Sequence, residues 1–331
     1  MAVASWSAAD YRAYLDQEVL AFVDQTNRWY PTDTYAKSVQ QQRRIYDEMC
    51  RAFFRGYPEG VGARDVRSGH VPLRHYSRAG GSAAAAVLYA HGGGNVVGGL
   101  HSHDDVCADI CHATGFDVVA VDYRLSPEYT RADSFDDCMA GLGWVRRELG
   151  LPVVVAGDSA GVILAAGLVI CERAAPDLLG LAAIYGGFGP LEASASMIRH
   201  AYAPLLTAEE SRSYEPRLGL TEAARSLVIP LAEPSLAGLL PVFAAPAECD
   251  PIADQSVEFV RRIRAGGGVG VCHVDTGLVH GHLRARHRAA KARESFARLL
   301  RVIALLGQGA VDQAALERAV AGTGQNTSGS A

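Results

Sequence analysis

The sequence predicts an α/β protein: a mostly parallel central sheet, flanked by helices on both faces, with a helical cap. Three observations carry that expectation. Short, nearly continuous apolar runs such as "AAAAVLYA" and "FDVVAVDYRL" have the texture of strands buried on both faces. Helix-patterned stretches alternate with them, and strand–helix alternation builds a parallel sheet. A Pro-dotted stretch at 188–236 then interrupts the alternation and is too long for an ordinary connection, which is the mark of an insertion.

Taken in order, residues from about 5 to 55 read as helices. "YRAYLDQEVLAFVDQTN" has apolar residues at helical spacing, and Pro31 ends the run. Residues 1–60 are therefore assigned to N-terminal cap helices. The core is expected at 61–187 and 237–306. In it, "VPLRHYSR" alternates like an edge strand, and "PVVVAG", "GLAAIYGG", "LPVFAAPAE" and "VGVCHVD" supply further strands. "LHSHDDVCADICHAT", "SFDDCMAGLGWVRREL", "DQSVEFVRRIRAG" and "LRARHRAAKARESFARLLRVIALL" supply helices. Residues 188–236 form the cap insertion. The tail 307–331, ending in "AGTGQNTSGSA", is expected to be partly disordered.

Composition narrows the function. The chain has 331 residues, 20% charged and 49% hydrophobic, and a formal net charge of -5. These values suit one large globular unit, and scattered arginines with no basic block argue against nucleic acid. No apolar run reaches the roughly 20 residues of a membrane helix. The opening residues lack the pattern of a secretory signal. Seven cysteines, with no C-x-x-C pair, favour free thiols in a reduced, cytoplasmic setting.

Four stretches bear on chemistry. Gly157-Asp158-Ser159-Ala160-Gly161 satisfies G-x-S-x-G on a strand-to-helix turn, where a nucleophile elbow belongs. Small residues two positions either side of the Ser let the strand and helix cross. The bland alternative is a structural Gly-Ser turn. "YAHGGGNVVGG" follows an earlier strand, and its glycine backbone can approach a substrate and aim N–H groups at a developing oxyanion. A phosphate loop is the rival, but the spacing fits neither dinucleotide nor Walker patterns. "AECDPIADQS" places Asp250 just past a strand end, with Glu248 and Asp254 as competitors. Finally, "DTGLVHGHL" offers His280 and His282, and side-chain alternation alone does not choose between them. Ser, Asp and His in that chain order are what a hydrolytic triad needs.

His103, Cys107 and Cys111 lie at i, i+4 and i+8 and could suggest a metal stripe. The shared apolar face of Val106 and Ile110 favours small buried residues instead. No metal or cofactor is expected. Trp6, Tyr11, Tyr14 and Trp29 read as cap packing, some of them facing a substrate.

The chain resembles the hormone-sensitive-lipase family of carboxylesterases within the α/β-hydrolases. The stretches that carry the resemblance are "HGGG" at 91–94, "VDYRLSPE" at 121–128, "GDSAG" at 157–161, "AECDPIADQ" at 247–255 and "HGH" at 280–282. They occur in family order across about 70–300. The resemblance implies the α/β-hydrolase fold, with Ser159 as nucleophile, His280 as base and Asp250 as its orienter. It also implies that the Gly93, Gly94 and Ala160 N–H groups form the oxyanion hole, supported by His91 and Gly92. Three departures stand out: Asn95 where the family often has an aromatic residue, Val162 in place of a frequent second glycine, and His282 in place of the usual Phe. Asn95, Asp158, Tyr185 and His282 are taken as candidate pocket residues. The expected substrate is a small-molecule ester with a short-to-medium acyl group. The expectation includes no nucleic-acid or membrane partner, and it allows for a homodimer. An amidase or thioesterase using the same machinery is the alternative, followed by a catalytically silent small-molecule receptor.

Overall fold

In the computed structural model, residues 3–189, 194–219 and 228–322 are described. A sheet of eight strands organises the chain. The strands are β1 (Val61–Ser68), β2 (Val71–Arg78), β3 (Ala86–Ala90), β4 (Asp117–Val121), β5 (Val153–Asp158), β6 (Leu178–Ile184), β7 (Val242–Ala245) and β9 (Gly270–Cys272), in the spatial order β1-β2-β4-β3-β5-β6-β7-β9. β1 and β2 form an antiparallel hairpin, and β2 runs antiparallel to β4. The remaining pairings are parallel. β8 (Ala247–Cys249) and β10 (Asp275–Val279) make a separate parallel pair.

Side chains alternate across a strand, so each central strand feeds two cores. Val87 and Tyr89 of β3, Val118 and Ala120 of β4, and Val154 and Ala156 of β5 pack on one face. They meet the helices Asp104–Thr114 and Ala290–Leu306 there. Leu88, Val119, Val121, Val153 and Val155 pack on the other face, against the helices Arg131–Trp144, Ala160–Cys171 and Ala253–Ala265. Burial on both faces explains why these strands read as unbroken apolar runs.

The N-terminal run is two helices rather than one, Ala8–Tyr14 and Gln17–Trp29. Asp16 divides them because its side chain accepts the Val19 N–H and caps the second. A third helix spans Val39–Phe53 behind a Ser38–Gln41 capping box. Together they bury Tyr11, Leu15, Val19, Phe22, Met49 and Phe53 in the first core. Long-range bonds hold this segment in place. The Trp6 N–H donates to the Arg199 carbonyl, and Tyr11 Oη lies 3.0 Å from His200 Nδ1. The Tyr14 hydroxyl donates to Glu248, and Glu18 accepts the Ala290 N–H.

Three features depart from the sequence reading. β1 is a strand that the sequence pattern does not announce, because its "VGARDVRS" is largely exposed and polar. The short β10, inside "DTGLVHGHL", was also missed. Within the tail, Gln313–Ala321 is a helix with Asp312 as its cap, and Leu316 and Val320 are buried against the core. Those two apolar residues, four apart, give that part of the tail a face to bury. The expected disorder after residue 322 lies outside the described residues.

Candidate active site

Ser159 sits between the end of β5 and the helix Ala160–Cys171 with φ 51° and ψ -124°. A non-Gly residue in that region is strained, and the strain holds the side chain clear of both elements. The flanking glycines allow the crossing. A Cβ on Gly161 would come within 2.1 Å of the Ala90 carbonyl, and one on Gly157 within 2.8 Å of the same oxygen. Val162, in the place of a second glycine, is accommodated by Gly186. A Cβ there would meet Val162 Cγ1 at 2.5 Å. The missing glycine of the elbow has in effect moved to the facing loop.

Ser159 Oγ lies 2.8 Å from His280 Nε2, and His280 Nδ1 lies 2.6 Å from Asp250 Oδ2. A carboxylate only accepts, so Nδ1 carries the ring proton and Nε2 is left to accept from the Ser hydroxyl. Asp250 is fully buried, and its Oδ1 accepts the Ile252 N–H at 3.0 Å. Burial works against charge on His280, but the adjacent Asp250 carboxylate outweighs it and holds the imidazole above its ordinary value. The competitors of Asp250 are engaged elsewhere. Glu248 accepts from Tyr14 and from the Gly277 N–H, and Asp254 accepts the Ser196 N–H.

The glycine loop is tied to the elbow through Asp158. Its Oδ1 accepts the Gly92 N–H and the Tyr89 hydroxyl, both at 2.9 Å, and its Oδ2 lies 3.2 Å from His103 Nε2. Burial alone would raise this carboxyl, but His103, Arg284 and Tyr89 bring it well below the usual carboxylate range. His91 stacks on Tyr123 at 4.2 Å and places Nδ1 2.8 Å from the Gly92 carbonyl. Burial, with His103 nearby, pushes His91 down to about 3, so it is a neutral prop. Gly93 and Gly94 adopt φ 127° and 64°. Their N–H groups and that of Ala160 have no acceptor among the described residues. All three residues line one cavity of about 970 Å³ with Ser159 and His280. The arrangement can deprotonate a hydroxyl, attack an electrophilic carbonyl and receive the resulting negative oxygen.

Asp158 and Tyr185 line this cavity, whereas Asn95 and His282 do not. Asn95 turns inward, where its side-chain oxygen accepts from Arg131 Nε at 3.2 Å. His282 is fully buried against Tyr185, with Nδ1 3.1 Å from the Val279 carbonyl and Nε2 3.1 Å from Ser295 Oγ. Ser295 and Arg298 both donate to Asp275 at 2.6 Å and complete that network. Gly281, at φ 75°, turns the chain between the two histidines, each of whose rings packs 4.9 Å from the Tyr185 ring. Assigning Asn95 and His282 to the pocket is therefore corrected.

The supposed metal stripe is likewise taken up by the fold. Cys107 and Cys111 are buried in the first core, and His103 faces Asp158. Cavity residues that the sequence reading missed include Tyr30, Tyr46, Glu210, Tyr214 and Arg284. They come from segments whose pattern only says helix, so their shared cavity becomes visible only once the segments converge.

A family described as the alpha/beta hydrolase fold matches residues 87–284. The carboxylic ester hydrolase LipN of Mycobacterium tuberculosis is 31% identical over 236 residues, covering 65% of this chain and 62% of its own length. The chain thus spans less than two thirds of that relative. The ethyl acetate hydrolase of Pseudomonas putida is 32% identical over 236 residues, 66% of this chain and 74% of its own. Among solved structures, a bacterial heroin esterase superposes with a TM-score of 0.81 at 26% identity, covering 89% of this chain and 98% of that one.

Proposed function

The chain belongs to the α/β-hydrolase family, and on that premise we propose that it is a serine carboxylesterase acting on short-to-medium acyl esters. One observation carries the reading: the continuous Ser159–His280–Asp250 hydrogen-bond line at 2.8 and 2.6 Å. Its likeness to an ethyl acetate hydrolase supports an ester of modest size as substrate.

In this mechanism, Ser159 Oγ gives its proton to His280 Nε2 and attacks the ester carbonyl. Asp250 holds the tautomer that makes this possible and stabilises the imidazolium. The Gly93, Gly94 and Ala160 N–H groups receive the oxyanion. His280 then protonates the departing alcohol, leaving an acyl-serine. Water, deprotonated by His280, repeats the sequence and releases the acid. Asp158 serves by pinning the glycine loop to the elbow, so that donors and nucleophile keep one geometry. The cavity walls come from the N-terminal helices, residues 197–218 and the core. Walls supplied by the cap as well as the core support a preference for acyl groups of butyrate size over long chains.

No helix among the described residues is long and apolar enough to cross a membrane. All seven cysteines are unpaired, which supports a reducing, cytoplasmic setting. The test is labelling by a fluorophosphonate together with turnover of p-nitrophenyl butyrate. Wild-type protein should do both. Ser159→Ala should do neither, with turnover reduced on the order of 10⁴-fold or more. Acyl-enzyme formation by Ser159→Ala would overturn the assignment. A p-nitrophenyl palmitate kcat/KM above that for the butyrate would overturn the size preference.

A further inference from the structure

The wall of the catalytic cavity contains a carboxylate that the mechanism above does not use. Glu210 lies on the helix Ala208–Tyr214, capped by Thr207. It is only 8% exposed, yet it lines the cavity with Ser159 and His280. Its Oε1 accepts the Tyr214 hydroxyl at 3.1 Å. The Tyr30 hydroxyl is its other neutral hydrogen-bonding neighbour.

Glu210 is held close to the reacting centre through its neighbour one turn along. The Tyr214 ring fills the space above Gly94, where an added Cβ would come within 2.6 Å of Tyr214 Cε1. The helix that carries Glu210 is thereby seated on the oxyanion loop. Glu210 and His280 also influence each other's charge. Burial pushes the Glu210 carboxyl up to about 7, so it stands ready to ionise beside a cation.

A carboxylate buried among neutral tyrosine hydroxyls, with no cation paired to it, is poorly compensated, and a glutamine could pack the same space without that cost. An anion here also opposes the negative charge that an ester develops at Gly94. Both penalties disappear if the substrate brings a positive charge. Of the arginines on the cavity wall, Arg12 lies 3.9 Å from Asp24 and Arg212 is exposed, while the other two are committed elsewhere. Arg131 bonds Asn95 and the Val228 carbonyl, and Arg284 bonds Tyr46 and Cys50. Tyr11, Tyr30, Tyr46, Tyr185 and Tyr214 add aromatic surface to the same walls, a lining that suits an alkylammonium.

We propose that Glu210 is a specificity determinant that recognises a protonated amine on the acyl or alcohol part of the substrate, making this a site for amino esters. The inference rests on the esterase reading.

Matched ester pairs test it. On the alcohol side the pair is 2-(dimethylamino)ethyl acetate and its carbon isostere 3-methylbutyl acetate. On the acyl side it is ethyl 4-(dimethylamino)butyrate and ethyl 5-methylhexanoate. Rates are followed by pH-stat at neutral pH, where the amines are protonated. Wild-type protein should prefer the amine in at least one pair by roughly tenfold or more in kcat/KM, the scale of a charge-assisted hydrogen bond. The pair that shows it identifies the side of the ester that meets Glu210. In Glu210→Gln that ratio should fall at least fivefold, with fluorophosphonate labelling retained. Absence of an amine preference in both pairs, in a wild-type protein that turns over p-nitrophenyl butyrate, overturns the proposal without any variant. An unchanged ratio in Glu210→Gln overturns it as well. Failure of wild-type protein to label with fluorophosphonate would instead overturn the esterase reading, and this inference with it.

Discussion

Replacing His282 by Phe, the residue usual in the family, separates the two neighbouring histidines. His282 is fully buried, and its two ring nitrogens face the Val279 carbonyl and Ser295 Oγ at 3.1 Å each. Phe leaves that carbonyl without a donor, at a cost of about 1–3 kcal/mol for a buried group. The larger ring must also fit between Tyr185, whose centroid is 4.9 Å away, and the Ser295 side chain. Overpacking of that kind costs about 1–3 kcal/mol more. The total, roughly 2–5 kcal/mol, is a large share of a typical stability of about 5–15 kcal/mol. The variant should therefore unfold at clearly lower urea concentration and temperature. Well below its midpoint, kcat on p-nitrophenyl butyrate should stay within about tenfold of wild type, because His282 bonds none of the reacting groups. His280→Ala should behave in the opposite way, with kcat lost by about 10⁴-fold and the fold retained. Urea titration and initial rates at 20 °C, run side by side, distinguish the two. A His282→Phe protein as stable as wild type but inactive would refute the reasoning, since the base would then be His282.

Asp250→Asn should lower kcat by about 10³–10⁴-fold, by analogy with other triads. His280 must be neutral to act as base, and its raised value puts the acid limb of the wild-type pH–rate profile higher than an ordinary histidine would. Without the carboxylate, burial lowers that value and the limb moves to lower pH, as a kcat profile over pH 5–9 would record. Gly186→Ala should destabilise by about 1–3 kcal/mol through its overlap with Val162. Gly186→Ala/Val162→Gly should lose less than the sum of the two single changes in urea titrations, and simple additivity would contradict the proposed glycine exchange.

Much of the sheet was legible because strands buried on both faces leave an apolar run that helices do not imitate at that length. Ser159, Asp250 and His280 could be found because each follows a strand end in a fixed chain order. Direction was harder to read than position. Asn95 and His282 lie beside site residues in sequence, yet their side chains leave for the interior, and the turn at Gly281 decides this for His282. Glu210 was hidden for another reason. "AEESRSY" has the composition of a solvated helix, and only its packing on Gly94 buries the second glutamate. The Gly186 exchange was invisible because its partner is Val162, in a separate element.

During synthesis, the helices that precede the sheet leave the ribosome before most of their partners exist. Tyr11 waits for His200, 189 residues later, Tyr14 for Glu248, 234 later, and Glu18 for the Ala290 N–H, 272 later. Contacts so far apart in the chain close slowly. The central strands β3 to β6 are complete by Ile184 and can pair while these helices remain undocked. The catalytic cavity, walled partly by them, is thus among the last parts of the molecule to be enclosed. In refolding, recovery of ester turnover should lag recovery of the sheet's circular dichroism signal.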